Sequence, residues 1–259
     1  MLRTIKNILL YVRQIPGRIY NHYSFSSSIW GIFFNPFYFA RKELFLFVKK
    51  AGSQLNGKVL DVGCGTKPYK KLISYECYVG LEYDTEENRK NKNADFFYDG
   101  HQFPFENASF DSILCNQVLE HVFNPDKFLS EVSRVLRPGG KLLLTVPFVW
   151  DEHEQPFDYG RYTSFGLKEL LFNHGFTVLE HHKTCNDFSA ISQLYATFIF
   201  KKIMNRNVLI RIPIFYLLIV PGNLFGLILK WILPKNNDLY LDNVILAEKQ
   251  LNDAGEGNG

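Results

Sequence analysis

Between residues 58 and 181 short apolar runs alternate with stretches whose apolar positions recur at helical spacing. The runs at 58–62, 78–82, 95–98, 111–115, 141–146 and 176–181 have the length and β-branched or aromatic character of buried strands. One more such run, 239–248, lies near the C-terminal end. Buried strands separated by helices predict a Rossmann-like, doubly wound α/β sheet, mostly parallel, with helices on both faces. In sheets of this kind ligands collect at the carboxyl ends of the strands, so the chemistry is expected in the loops that follow them.

The flanking patterns divide the chain further. Residues 1–52 read as a basic, apolar N-terminal helical extension, with Asn35-Pro36 leading into a helix over 37–50. Residues 53–190 form the core and 237–250 its last strand. Residues 251–259, rich in Gly, Asn and acid, are expected to be disordered. Between them, 191–236 is an apolar helical insertion. Its stretch 212–229 carries no charge, but Pro213 and Pro221-Gly222-Asn223 interrupt it and predict two short helices joined at 221–223.

The first core strand runs into Asp61-Val62-Gly63-Cys64-Gly65-Thr66-Lys67-Pro68. Two glycines allow a sharp turn and close approach of a ligand, and Pro68 suits the first turn of a helix. A dinucleotide loop would carry a third glycine where Pro68 stands, and it would not place an acid beside a pyrophosphate. Asp61 instead suits a cationic ligand. Glu82, at the end of the second strand, lies at the spacing from Gly63 at which an acid reaches ribose hydroxyls. Asp99-Gly100 follows the third strand, where an acid accepts from an adenine amine, and Asn116-Gln117 follows the fourth.

With VLDVGCG, YVGLEYD, the stretch from Asp99 through FPFENASFD, NQVLEHV and RVLRPGG in this order, residues 56–185 resemble the class I S-adenosylmethionine-dependent methyltransferases, type-11 group. The resemblance implies S-adenosyl-L-methionine as cofactor and a seven-stranded sheet whose last strand is antiparallel, supplied by 239–248. It puts Asp61, Gly63 and Gly65 around the methionine portion, Glu82 on the ribose and Asp99-Gly100 at the adenine. Cys64, Tyr83, Asn116 and Gln117 complete the candidate cofactor set. Lys67 departs from the pattern, standing where many members carry a third glycine, whereas Pro68-Tyr69 occurs in some relatives.

Methyl transfer to a hydroxyl or amine needs alignment, exclusion of water and a base. The segment 147–163 has neither helical nor strand period and is dense in His, acids and aromatics. His153 is the first candidate base and His121, in Leu119-Glu120-His121, the second. Asp151, His153, Glu154 and Asp158 offer metal ligands at an irregular spacing, and no metal is expected. Thr163 or Ser164 caps the helix that follows, which ends near His174-Gly175.

Composition adds little to this. A net charge of +3 without a dense Lys/Arg stripe argues against nucleic acid. Four cysteines without a CxxC pair suit a reducing compartment, and Arg13 breaks the apolar stretch a signal peptide needs. The expected location is cytoplasmic. Lys201, Lys202, Arg206, Arg211, Lys230 and Lys235 border the uncharged stretch 212–229, which together with residues 1–20 predicts peripheral contact with an anionic membrane. The alternative is a lid or dimer interface. The acceptor is then a small molecule, a glycan or a lipid-linked compound close to the membrane. Two rival functions are a nicotinamide-dependent oxidoreductase or epimerase and a non-catalytic adaptor that keeps the fold.

Overall fold

A computed structural model of the chain describes residues 28–251. The expectations for residues 1–20 and for the tail after 251 lie outside the described residues. The contacts divide the chain into two compact units. Among the described residues, one is formed by those up to Leu46 with Cys185–Tyr240, the other by Phe47–Thr184 with Leu241–Leu251.

The second unit holds a seven-stranded sheet. Its strands are β1 (Lys58–Val62), β2 (Cys77–Tyr83), β3 (Phe96–Tyr98), β4 (Phe110–Asn116), β5 (Leu136–Pro147), β6 (Phe176–Lys183) and β7 (Asp242–Lys249), in the order β3-β2-β1-β4-β5-β7-β6. The pairs from β3 to β5 are parallel, and β7 runs antiparallel between β5 and β6. Strand order reverses direction between β1 and β4, so the loops after these strands diverge and leave a crevice at their carboxyl ends.

The α/β character follows from the residues. In β1, Val59, Leu60, Asp61 and Val62 are all buried, the continuous burial of a central strand. The helix Pro125–Val135 begins where the sequence signals it: Asn124 accepts from the Lys127 N–H at 3.1 Å, and Pro125 fills the first turn. It buries Phe128, Leu129, Val132 and Val135 against Leu60, Ile113, Leu142 and Leu144 in the main core. Each fully buried side chain of this size contributes about 1.5–3 kcal/mol. The helix Ser164–Asn173 is capped by Thr163, which accepts from Gly166 N–H at 3.2 Å, and Gly175 (φ +77°) reverses the chain after it.

Two local expectations need correction. No helix follows the first glycine loop. Lys67 adopts a left-handed φ of +57°, and only one 3-10 turn, Lys70–Leu72, separates the loop from β2. The strand expected over 141–146 begins earlier and takes in Arg137-Pro138-Gly139-Gly140. β5 starts at Leu136, paired with Phe110, and the register shifts before Ser112 meets Lys141, so the glycines form an irregularity within the strand.

In the first unit, Gln193 of the helix Ser189–Ile203 is buried; its amide donates to Pro36 O at 2.9 Å and Thr197 Oγ1 at 3.1 Å, and its oxygen accepts from Ala40 N–H at 3.2 Å. Gly226 lies so close to this helix that an added Cβ would stand 2.0 Å from Ser192 Oγ. The expected break at 221–223 is absent. Val208–Ile214, a π-helical stretch Phe215–Ile219 and Val220–Ile232 form one continuous helical run, long and apolar enough to cross a membrane. Pro221 falls in the first turn after the π stretch, and the helix continues through it. Only 28% of the apolar window is buried. Leu209, Leu217, Phe225, Ile228, Trp231 and Ile232 are exposed, a surface that water does not favour.

Candidate active site

At the carboxyl end of β1 the chain turns back on β2: the N–H groups of Gly63 and Cys64 both donate to Leu81 O, at 2.9 and 3.2 Å. Gly63 (φ +66°) permits this turn, and a Cβ there would lie 2.3 Å from Val118 Cγ2. Gly65 N–H donates to Glu82 Oε2 at 2.9 Å, which ties the loop to the end of β2. Glu82 Oε1 accepts from Tyr83 N–H at 3.3 Å. Lys67 takes the left-handed backbone that a glycine would supply. Its ammonium meets Asp95 at 2.6 Å, and Asp95 in turn accepts from Gly80 N–H at 2.7 Å. The departure from the family pattern at Lys67 is therefore absorbed by a partner on the neighbouring loop.

Asp61 is 4% exposed and accepts from the Tyr78 hydroxyl at 2.6 Å. Burial pushes its carboxyl up from 3.8 to about 7, with Glu82 adding to the rise; the Tyr78 hydrogen bond and the Lys67 charge act in the opposite direction. A buried acid held so far above its ordinary value is short of positive charge. Cys64 is buried as well, and burial together with the Asp61 and Glu82 charges pushes its thiol up to about 12, which makes it a packing residue rather than a nucleophile.

Beyond β3, Asp99 is exposed and accepts from His101 N–H at 3.0 Å. Gly100 (φ +88°) lies under the half-exposed Tyr83 ring, 2.9 Å from an added Cβ. Asn116 and Gln117 point back to β5: Thr145 Oγ1 donates to Asn116 Oδ1 at 2.9 Å and accepts from Gln117 Nε2 at 3.2 Å. These two side chains brace the end of β4. The structure thus gathers Asp61, Gly63, Cys64, Gly65 and Glu82 at the ends of β1 and β2, and Tyr83, Asp99 and Gly100 along the neighbouring rim.

The segment after β5 folds onto the 3-10 turn Leu119–His121. The N–H groups of Tyr159 and Gly160 donate to Glu120 O at 2.7 and 3.1 Å. Arg161 grips Asp158 through both carboxylate oxygens, at 2.6 and 2.7 Å, and holds that acid down at about 2. Asp158 also accepts from His153 N–H at 2.9 Å. This brings the two candidate bases together, with His121 and His153 rings 4.8 Å apart. Between them and the core lies Glu120, which the sequence reading passed over. It is fully buried, and burial pushes its carboxyl up to about 8. The dipeptide Glu-His directly after a buried strand was the available signal, since an acid seldom enters a core without a task.

Residues 60–144 match the family model described as a methyltransferase domain. With the strand order and the acid-lined glycine loop, this places the α/β unit among the class I S-adenosylmethionine-dependent methyltransferases of the type-11 group. Among named relatives, a probable S-adenosylmethionine-dependent methyltransferase of Mycolicibacterium smegmatis is 29% identical over 154 residues, which are 54% of this chain and 60% of that protein. A thiol S-methyltransferase of Mus musculus is 32% identical over 130 residues, 45% of this chain and 51% of the relative. Haemonchus contortus phosphoethanolamine N-methyltransferase 2, solved with phosphomonomethylethanolamine and S-adenosylhomocysteine, shares the fold with a TM-score of 0.51 at 20% identity, over 86% of this chain and 56% of that one. The chain spans about half the length of curated relatives it matches, 47%, 44% and 60% in three cases.

The residues present suit S-adenosylmethionine. Gly63 and Gly65 open the backbone, Asp61 lacks a full positive partner, and Glu82 stands at the mouth. The nicotinamide alternative is not favoured, because the loop has neither a third glycine nor a helix whose N-terminus could face a pyrophosphate.

Proposed function

We propose that this protein is an S-adenosylmethionine-dependent methyltransferase that methylates an oxygen, in preference to a nitrogen, of a small-molecule, glycan or lipid-linked acceptor at the cytoplasmic face of a membrane. The observation that carries the cofactor half is Asp61, a buried acid short of positive charge at the crevice between β1 and β4. Bound there, the cofactor supplies a methyl group on a sulfonium. Asp61 attracts its cationic end, Glu82 accepts from the ribose hydroxyls, and Asp99-Gly100 meets the adenine. Cys64 and Tyr83 shape the rim, and Asn116 and Gln117 keep the end of β4 rigid. On the acceptor side His153, with His121 beside it, takes the proton of the acceptor. The 147–163 segment excludes water around it.

Calorimetric titration with S-adenosylhomocysteine, with NAD as control, tests this reading. Saturable binding to the first alone supports it. Binding of neither removes the enzyme assignment and brings forward the adaptor reading. The membrane half rests on the exposed apolar helix Val208–Ile232, with Lys201, Lys202 and Arg206 ahead of it and Arg211 in its first turn. Full-length protein is expected to co-sediment with vesicles containing phosphatidylglycerol, and a Leu217→Asp/Trp231→Asp variant to stay in solution. Absence of sedimentation for the unaltered chain overturns the membrane half and leaves the cofactor half intact.

A further inference from the structure

We propose that Glu120, His121 and His153 form a binding site for a first-row divalent transition-metal cation, with zinc, iron(II), manganese(II) or cobalt(II) as the fitting class. One ligand atom from each of the three lies within 4.8 Å of the others, close enough for small side-chain movements to bring all three onto one ion. The three arrive from different places: Glu120 and His121 from the turn after β4, and His153 from the segment after β5. Their juxtaposition is a property of the fold and not of local spacing.

Each imidazole is already oriented as a ligand. His121 Nδ1 lies 2.6 Å from Phe157 O, and His153 Nδ1 lies 3.3 Å from Asp151 O and 3.2 Å from Asp158 Oδ2. These neighbours only accept hydrogen bonds, so Nδ1 must carry the proton in both rings. The lone pair is then on Nε2, and an oxygen-bound Nδ1–H is the usual support of a metal-bound histidine. Asp158 is itself fixed by Arg161, so it supports His153 and is not a further ligand.

Glu120 supplies the independent observation. Its side chain is fully buried, yet among the described residues neither carboxylate oxygen has a hydrogen-bond partner from another residue, and His121 Nε2 stands 3.9 Å from Oε1. A buried carboxylate without a partner from another residue is costly, and a metal cation is the partner that two imidazole nitrogens and one carboxylate can share. Two histidines and one acid leave ligand positions open, as catalytic sites do and closed structural sites do not. The exposed Glu154, with Oε2 4.0 Å from His121 Nε2, borders the open side. The metal site stands without the methyl-transfer reading. Its use, to hold an acceptor oxygen in place of a direct proton transfer to His153, rests on that reading.

The test uses the full-length protein after dialysis against a chelator. Zinc and manganese(II) are titrated by calorimetry, and cobalt(II) is followed by its visible ligand-field absorption. The expected result is one equivalent bound at micromolar Kd or tighter, at least 100-fold weaker in His153→Ala and in Glu120→Gln. Circular dichroism and the unfolding midpoint of both metal-free variants show whether they are folded. Should either fail to fold, His121→Gln takes its place with the same expectation. No binding by the unaltered chain, or equal binding by folded variants, overturns the site and leaves His153 as the proton acceptor. A separate titration with S-adenosylhomocysteine reports on the methyltransferase reading independently.

Discussion

Replacing Asp61 by Asn separates two consequences of one buried carboxylate. Without a ligand the acid is 4% exposed and raised from 3.8 to about 7, chiefly by burial. A carboxyl raised on folding binds protons more tightly in the folded chain than in the unfolded one. Stability therefore declines as pH rises between about 4 and 7, and levels off above that range. At 1.36 kcal/mol per pH unit the loss amounts to at most about 4 kcal/mol by pH 8. Asn keeps the shape, accepts the Tyr78 hydroxyl through Oδ1 and does not titrate. In urea unfolding followed by circular dichroism, Asp61→Asn is expected to match the parent near pH 4. Its advantage then grows with pH, to about 2–4 kcal/mol at pH 8. The same variant is expected to lose at least 10-fold in affinity for S-adenosylmethionine, a charge-assisted contact being worth about 1.5–3 kcal/mol. A variant no more stable than the parent at pH 8, or a difference independent of pH, refutes the account of Asp61 as a residue kept for its ligand.

Other perturbations probe separate parts of the argument. Glu82→Gln is expected to weaken S-adenosylhomocysteine binding about 10–100-fold through the ribose contact, and unchanged calorimetric affinity rules that contact out. Gly63→Ala places a Cβ against Val118 and should destabilise the domain by about 1–3 kcal/mol, part of which Val118→Ala restores in thermal unfolding. Leu129→Ala, at a fully buried core position, is expected to cost about 2–5 kcal/mol in denaturant titrations. Arg134→Met removes the guanidinium that donates to Phe103 O, Phe105 O and Asn107 Oδ1, so protease cleavage within 103–109 should accelerate while the sheet persists.

The sheet was legible because its central strands β1, β4 and β7 are buried on both faces and read as unbroken apolar runs, and because the glycine loop, Glu82 and Asp99 stand at successive strand ends in a fixed order. Other features depended on partners distant in sequence. The missing helix after Gly65 follows from the left-handed Lys67, whose side chain is held by Asp95 on another loop. Pro213 and Pro221-Gly222 look like breaks, yet the backbone runs on because Val220 N–H reaches Phe215 O across a π turn. Local propensity contains no sign of that compensation. Glu120 was overlooked for a similar reason. It lies next to His121 in sequence, but its meaning appears only when the segment after β5 brings His153 to it.

The position of β7 governs the order in which this chain can fold. It lies between β5 and β6 in the sheet although it is the last strand synthesised, and the whole of Cys185–Tyr240 leaves the ribosome before it. Until Asp242–Lys249 arrives, β5 and β6 have no common neighbour, and each exposes an open hydrogen-bonding edge. The apolar helix Val208–Ile232 is thus made while the sheet is still incomplete. The emerging chain therefore presents its apolar segment to its surroundings before the last strand is free to close the sheet.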